Sequence, residues 1–407
     1  MLPLDVAKVR ADLPVLAIPV RGHLPAYLDC ACTTLTPEPV IQAVAAHLRS
    51  IPGCHGRANH RFGREATIAY AAARETVRTF VGAARAEDVI FVRNATEAIH
   101  LVAAGLPLKA GDAVLTTGIE HNSNLLPWLG LARSRGVRCL VHRVDIARGF
   151  DLDAFRRDLV DGVRLVAVTH VSNLCGIELP ISEIVALAHR KGAKVLVDGA
   201  QAALCHDPAV ADQGIDFYAM SFHKVMGPTG IGALVAGRGA LDLLEPTVLG
   251  GDTVVDVRPD GFDMAAAPAR FEAGVGNYGG AAGAKAAAEY VTSLGREAIR
   301  RHAVGLNRLA TEALAPLRRF RLVGPLDPEA RGSILNFRID GLDSRRLAGL
   351  LDEREGVMVR YGKHCVHLWY HDEGCPDTLR ASFGPWNTAD EVERFTRAVA
   401  DVAIMLE

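Results

Sequence analysis

Two hydrophobic rhythms alternate through the middle of the chain. Short runs rich in Val, Leu and Ala read as strands, and apolar residues at three- and four-residue spacing between them read as helices. Strands are predicted at 88–92, 113–117, 139–144, 165–170, 194–198, 217–220 and 231–235, and helices at 96–104, 124–135, 152–159 and 181–191. Strands that are apolar along their whole length, separated by helices, belong to a largely parallel sheet covered on both faces. The flanks have another texture. A short helix at 4–13, a strand at 26–29 and helices at 37–49 and 65–81 come first, with a Gly- and Arg-rich loop at 51–65. After Gly237 the stretch 249–268 is rich in Gly, Asp and Pro, and long helices follow at 280–294 and 297–317. Strands at 321–323, 333–339, 357–360 and 379–383, with helices at 344–353 and 390–406, close the chain.

The pattern predicts an α/β fold with a large domain at 21–280, a small α+β domain at 281–407 and an N-terminal segment, 1–20, packed on the small domain. Ligands of such sheets sit at the carboxyl ends of the strands. The chemically suggestive residues fall there: Asn94, Thr96 and Glu97, His121, Asn173, Asp198 and Gln201, and Ser221, His223 and Lys224.

Composition changes this picture little. With 407 residues, 49% hydrophobic, and a formal net charge of −2, the chain can bury a sizeable core and offers no general attraction to nucleic acid or an anionic membrane. No apolar run reaches the ~18 residues of a membrane helix. The first residues lack the apolar centre of a signal peptide, so the expected location is the cytoplasm. The eight cysteines include no C-x-x-C pair, and most are expected to be reduced core residues.

The chemistry is concentrated at a few strand ends. Lys224 follows an apolar strand and precedes a Gly-Pro turn, and lysine is the side chain that forms a Schiff base with an aldehyde. Asp198 ends the strand KVLVD, where a buried carboxylate needs a cationic or donor partner, or else caps the next helix. Thr96 lies at a helix start whose free N–H groups suit a phosphate, although an ordinary N-cap reads the same way. His121 lies at a further strand end, where a ring can stack on an aromatic ligand.

Taken together, these motifs resemble the pyridoxal-phosphate enzymes of fold type I. They are similar to the class V aminotransferase group and, within it, to the second desulfurase group of the cysteine desulfurase and selenocysteine lyase family. The resemblance runs from Tyr27 to Glu393 through Thr96-Glu97, Glu120-His121, 172–176, 198–201, 221–228, 270–274 and 380–382. It implies a homodimer with a seven-stranded large domain. It implies that Lys224 holds the cofactor and moves the substrate α-proton. Asp198 pairs with the pyridine nitrogen, His121 stacks on the ring, and Gln201 and Asn173 bond the ring hydroxyl or the substrate. Thr96, Ser221 and His223 hold the phosphate, with Glu97 beside them. Arg380 grips the α-carboxylate, with Arg57 and Ala31 near the substrate. Cys365 takes the sulfur of L-cysteine as a persulfide for a sulfur-acceptor protein, its thiolate favoured by Lys363 and His364. No metal is implied.

The chain departs from that pattern in four places. Val275 stands where many relatives have a Thr that reaches the partner's phosphate. Cys30-Ala31-Cys32 replaces small residues near the substrate, Tyr361 is unusual, and the segment after Cys365 is rich in His and aromatic residues. Two other readings stay open. One is elimination on cystine, a cysteine S-conjugate or selenocysteine. The other is a non-catalytic sulfur-transfer scaffold.

Overall fold

A computed structural model describes residues 3–404. Seven strands form the central sheet: β1 (Val89–Val92), β2 (Ala113–Thr117), β3 (Arg138–His142), β4 (Val163–Thr169), β5 (Lys194–Asp198), β6 (Phe217–Ser221) and β7 (Gly232–Ala236). Their order across the sheet is β1-β7-β6-β5-β4-β2-β3. β7 pairs antiparallel with β1 and β6, and every other pairing is parallel. Helices cross over between the first five strands, whereas residues 199–216 join β5 to β6 without a helix and a short turn carries β6 into antiparallel β7.

The strands are apolar along their length because each feeds two cores. Successive side chains of a strand point to opposite faces. Val166, Val168, Val195, Val197, Tyr218 and Met220 enter one cluster, and Leu165, Ala167, Leu196, Phe217 and Ala219 the other. Each fully buried Val, Leu or Phe contributes roughly 1.5–3 kcal/mol relative to exposure, so both helical layers are held firmly to the sheet.

The small unit is an antiparallel sheet of β8 (Phe320–Val323), β9 (Ile334–Ile339), β10 (Arg360–Gly362) and β11 (Thr378–Ser382), in the order β8-β9-β11-β10. Helices Arg296–Leu314, Ser344–Glu355 and Ala389–Ile404 cover it with Leu306, Leu347, Leu351, Phe395 and Val399. The last two residues of the helix expected to end at 406 lie outside the described residues.

Several elements differ from expectation. The expected strand at 357–360 is split: Val357–Met358 pairs in parallel with Ala26–Tyr27, and β10 begins at Arg360. Ala26 and Leu28 therefore pack in the small unit's core, although the pattern assigned them to the large one. Val9, Leu13 and Leu16 of the N-terminal segment join a core cluster that holds residues of the large unit together with Trp386 and Tyr370. Arg10 reaches the C-terminal part, donating to the Trp386 carbonyl and Glu391 at 2.7 Å each, and Asp12 accepts from Tyr290 Oη at 2.8 Å. The second long N-terminal helix starts at Arg61 because His60 caps it, accepting from the Gly63 N–H. A hairpin, Val254–Arg258 with Gly261–Met264, and a short helix, His367–Asp372, were not foreseen.

Candidate functional site

β5 and β6 lie side by side, with Asp198 level with Ala219. β6 continues to Ser221, and a short 3-10 turn, Phe222–Lys224, carries the lysine over the sheet end. Gly199 follows Asp198 because Tyr218 leaves no room: a Cβ there would stand 1.9 Å from its ring. Burial holds the Lys224 ammonium below the usual lysine range, with Arg380 pushing the same way and Asp198 opposing. Burial raises the Asp198 carboxyl above its ordinary range, against the Ala200 N–H, which donates to it at 3.0 Å, and against Lys224. These two charged groups face one cavity of about 410 Å³.

One corner of that cavity is built for an anion. Helix Ala95–Gly105 starts there, and Ser221 Oγ accepts from the Ala95 N–H at 2.7 Å while Asn94 caps the Glu97 N–H at 3.0 Å. Thr96 Oγ1 and Ser123 Oγ are 2.8 Å apart, and His223 completes the corner. Backbone donors, hydroxyls and the positive end of a helix together suit a phosphate. Glu97 does not belong to this corner. Its carboxylate accepts from the backbone N–H and the guanidinium of Arg93, so it points away from the cavity.

His121 leaves the end of β2 on a firmly held turn. Beneath it, buried Glu120 accepts from Thr117 Oγ1, the Thr169 N–H and Asn124 Nδ2 at 2.6, 2.9 and 2.7 Å. His121 Nδ1 accepts from the Ser123 N–H, and burial beside Lys224 and Arg380 pushes the ring down to about 3. It is a neutral ring at physiological pH. His223 is likewise pushed down to about 4, mainly by burial. Gln201 Nε2 donates to the Ala31 carbonyl at 2.6 Å, which fixes the wall formed by Ala31 and Cys32.

The small sheet supplies the opposite side. Arg380 on β11 is 2% exposed, donates to the Asn173 carbonyl at 2.9 Å and lies 3.6 Å from Asp29. Its Nε has no partner among the described residues. Asp29 is occupied chiefly by Arg360, which donates to it at 2.7–3.1 Å. A buried guanidinium with an unused donor, beside a cavity, is a fork waiting for a carboxylate.

Cys365 sits at the mouth on a tightly clamped turn. Both His364 and Cys365 adopt left-handed backbone, with φ of 49° and 59°. Such a conformation persists where the surroundings over-determine it. Here Asn173 Nδ2 donates to the His364 carbonyl at 2.7 Å, and the Asn122 N–H donates to the Cys365 carbonyl at 2.7 Å. His364 Nε2 and Thr378 Oγ1 are 3.0 Å apart, and Asn122 Nδ2 lies 2.9 Å from His367 Nδ1. The Cys365 thiol itself is exposed. His364 does not provide the cation expected beside it. Burial, with Arg380 and Arg360, holds its ring well below the ordinary range, so it is neutral.

Of the residues expected at the site, the fold gathers Ala31, Thr96, His121, Asn173, Asp198, Gln201, Ser221, His223, Lys224, Cys365 and Arg380 around the cavity. Arg57 is not among them: its side chain is 87% exposed and pairs with Asp252 at 3.3 Å. Val275 is also at the surface. Ser123, Asn122 and Asp29 were not singled out from the sequence, and a hydroxyl beside a helix start was the available signal for Ser123.

This donor set fits one kind of group: an aldehyde for the amine, a ring nitrogen for the carboxylate and a phosphate for the helix start. The comparisons agree. A family model described as aminotransferase class-V matches residues 26–395. The chain is 38% identical over 398 residues to the cysteine desulfurase of Synechococcus elongatus, covering 97% of this chain and 63% of that protein, so it spans less than two thirds of that relative. It is 36% identical over 409 residues to probable cysteine desulfurase 2 of Mycobacterium leprae, covering 98% and 97%. An apo cysteine desulfurase from Thermococcus onnurineus superposes with a TM-score of 0.93 at 34% identity, covering 99% of each chain.

Proposed function

Because the chain belongs to the class V aminotransferase family, we propose that it is a pyridoxal-phosphate cysteine desulfurase, converting L-cysteine to L-alanine with the sulfur captured on Cys365. The observation that carries this reading is that Lys224 and Asp198, from the strand ends, and Cys365, from the small unit, share one cavity. When bound, pyridoxal phosphate supplies the aldehyde and a ring that stores the charge left at the substrate α-carbon.

The chain's own residues do the rest. Lys224, held below the usual lysine range, takes and returns the α-proton. Arg380 grips the α-carboxylate with its free donors. Asp198 would pair with the ring nitrogen, neutral His121 would lie against the ring, and Gln201 and Asn173 would serve the ring hydroxyl or the substrate. Thr96, Ser221 and His223 would hold the phosphate. The Cys365 thiolate attacks the substrate sulfur: an S–S bond forms, the substrate C–S bond breaks, and its electron pair ends at the carbon that becomes the alanine methyl. The exposed apolar residues Val255, Val257, Phe262 and Val275 favour a homodimer through that face. No helix among the described residues is long and apolar enough to cross a membrane. The reading assigns the enzyme to the cytoplasm and gives it a sulfur-acceptor protein as partner.

The product mixture from L-cysteine, with and without reductant, tests this. Alanine matching sulfide supports desulfuration. Pyruvate and ammonia instead would replace it with the elimination reading, and a colourless purified protein would point to a scaffold.

A further inference from the structure

We propose that Cys32 is a second sulfur-bearing thiol, which takes the terminal sulfur of the Cys365 persulfide and holds it inside the cavity. The inference rests on the desulfurase reading above.

Cys32 and Cys365 both line the main cavity, and none of the other described cysteines does. Several of the others are inert by burial. The thiols of Cys30, Cys175 and Cys205 are pushed up to about 12, 11 and 12. Cys32 differs from its near neighbour Cys30 in lining the cavity together with Cys365, Lys224, Arg360 and Arg380.

The backbone at both cysteines is held in place. The Cys32 N–H donates to the Asp29 carbonyl at 3.1 Å, and the preceding Ala31 peptide is held by Ser382 Oγ at 2.9 Å and Gln201 Nε2 at 2.6 Å. Cys365 is clamped across the cavity by Asn122 and, through His364, by Asn173. A persulfide extends Cys365 into the cavity by one S–S bond, about 2.05 Å.

The transfer balances without an outside oxidant. The Cys32 thiolate attacks the terminal sulfur, the Cys365–sulfur bond breaks, and Cys365 leaves as thiolate while its persulfide proton stays on the transferred sulfur. The exchange makes one S–S bond for each one it breaks, so both positions carry sulfur at equilibrium. Cys365 is exposed and Cys32 only partly so. The exchange therefore moves sulfur from an open position to a sheltered one and leaves Cys365 free for another turnover.

The test is a single turnover of the holoenzyme with L-cysteine in the absence of oxygen, followed by alkylation and peptide mass mapping. An extra sulfur is expected on both Cys32 and Cys365 peptides in the wild type, on Cys365 alone in Cys32→Ser, and on neither in Cys365→Ser. Bound sulfur in Cys32→Ser should also be stripped several-fold faster by an added small thiol. Sulfur confined to Cys365 in the wild type overturns the relay. So does sulfur on Cys32 in Cys365→Ser, which would mean direct capture from substrate. Failure of the underlying desulfurase reading looks different: pyruvate in place of alanine and no extra sulfur on any cysteine, which removes the relay with it.

Discussion

The two sides of the cavity are held in opposite ways. On the large-sheet side the backbone is regular and the reactive groups are electrostatically uneasy, with Lys224 held below its usual range and Asp198 above it by burial. On the Cys365 side the backbone is strained and over-clamped, while the thiol is exposed. The contrast matches the two tasks. Proton transfer needs groups of shifted acidity held on rigid strands. Sulfur handover needs an accessible atom on a turn that does not wander.

Substitutions test each side of this contrast, beginning with the most damaging. Lys224→Ala should remove the visible absorption of the bound cofactor and slow turnover by ~10³-fold or more, the scale of a lost acid–base group. Cys365→Ala should keep the spectral change on adding L-cysteine but release almost no sulfide. Full release would dissolve the division of labour between the two sides. Arg380→Lys should raise KM by about tenfold with a smaller effect on kcat, since a charge-assisted fork is worth ~1.5–3 kcal/mol.

The clamp itself is worth less. Asn173→Ala removes the donor to the buried His364 carbonyl and should cost about 1 kcal/mol of stability. It should also speed alkylation of Cys365 severalfold. A further effect is on pH dependence. His121 and His223 are held down to about 3 and about 4 in the folded chain. In the unfolded chain they protonate near ~6.5. The unfolded state therefore binds protons first as the pH falls, and stability drops from about pH 6.5 toward 4 while staying level above pH 7. Thermal melts should follow that course, and His121→Gln should flatten it.

Much of the large unit could be read from the chain because its strands obey a simple rule: each residue enters one of two cores, so Leu196 and Val197 are both apolar for different reasons. The Val254–Met264 region escaped because Val255, Val257 and Phe262 are exposed in the single chain and show no half-buried alternation. The helix His367–Asp372 is too short to display a period. Among the site residues, those at strand ends converge because the parallel register forces them to. Arg57 and Glu97 fail for local reasons, an ion pair with Asp252 and a turn toward Arg93. His364 shows a further gap: its position beside Cys365 is written in the sequence, but its neutrality depends on burial and on two arginines from elsewhere.

The path of residues 26–34 has a mechanical consequence. In a few residues the chain passes from the small unit's core, beside Val357 and Met358, to Arg360 through Asp29, to Ser382 and Gln201 through Ala31, and to the His223 carbonyl through Thr34. This is a stitched seam rather than a hinge. Swinging the small unit away would have to break the bonds that tie Ala31 to Gln201 and Thr34 to the His223 carbonyl before the cavity widened.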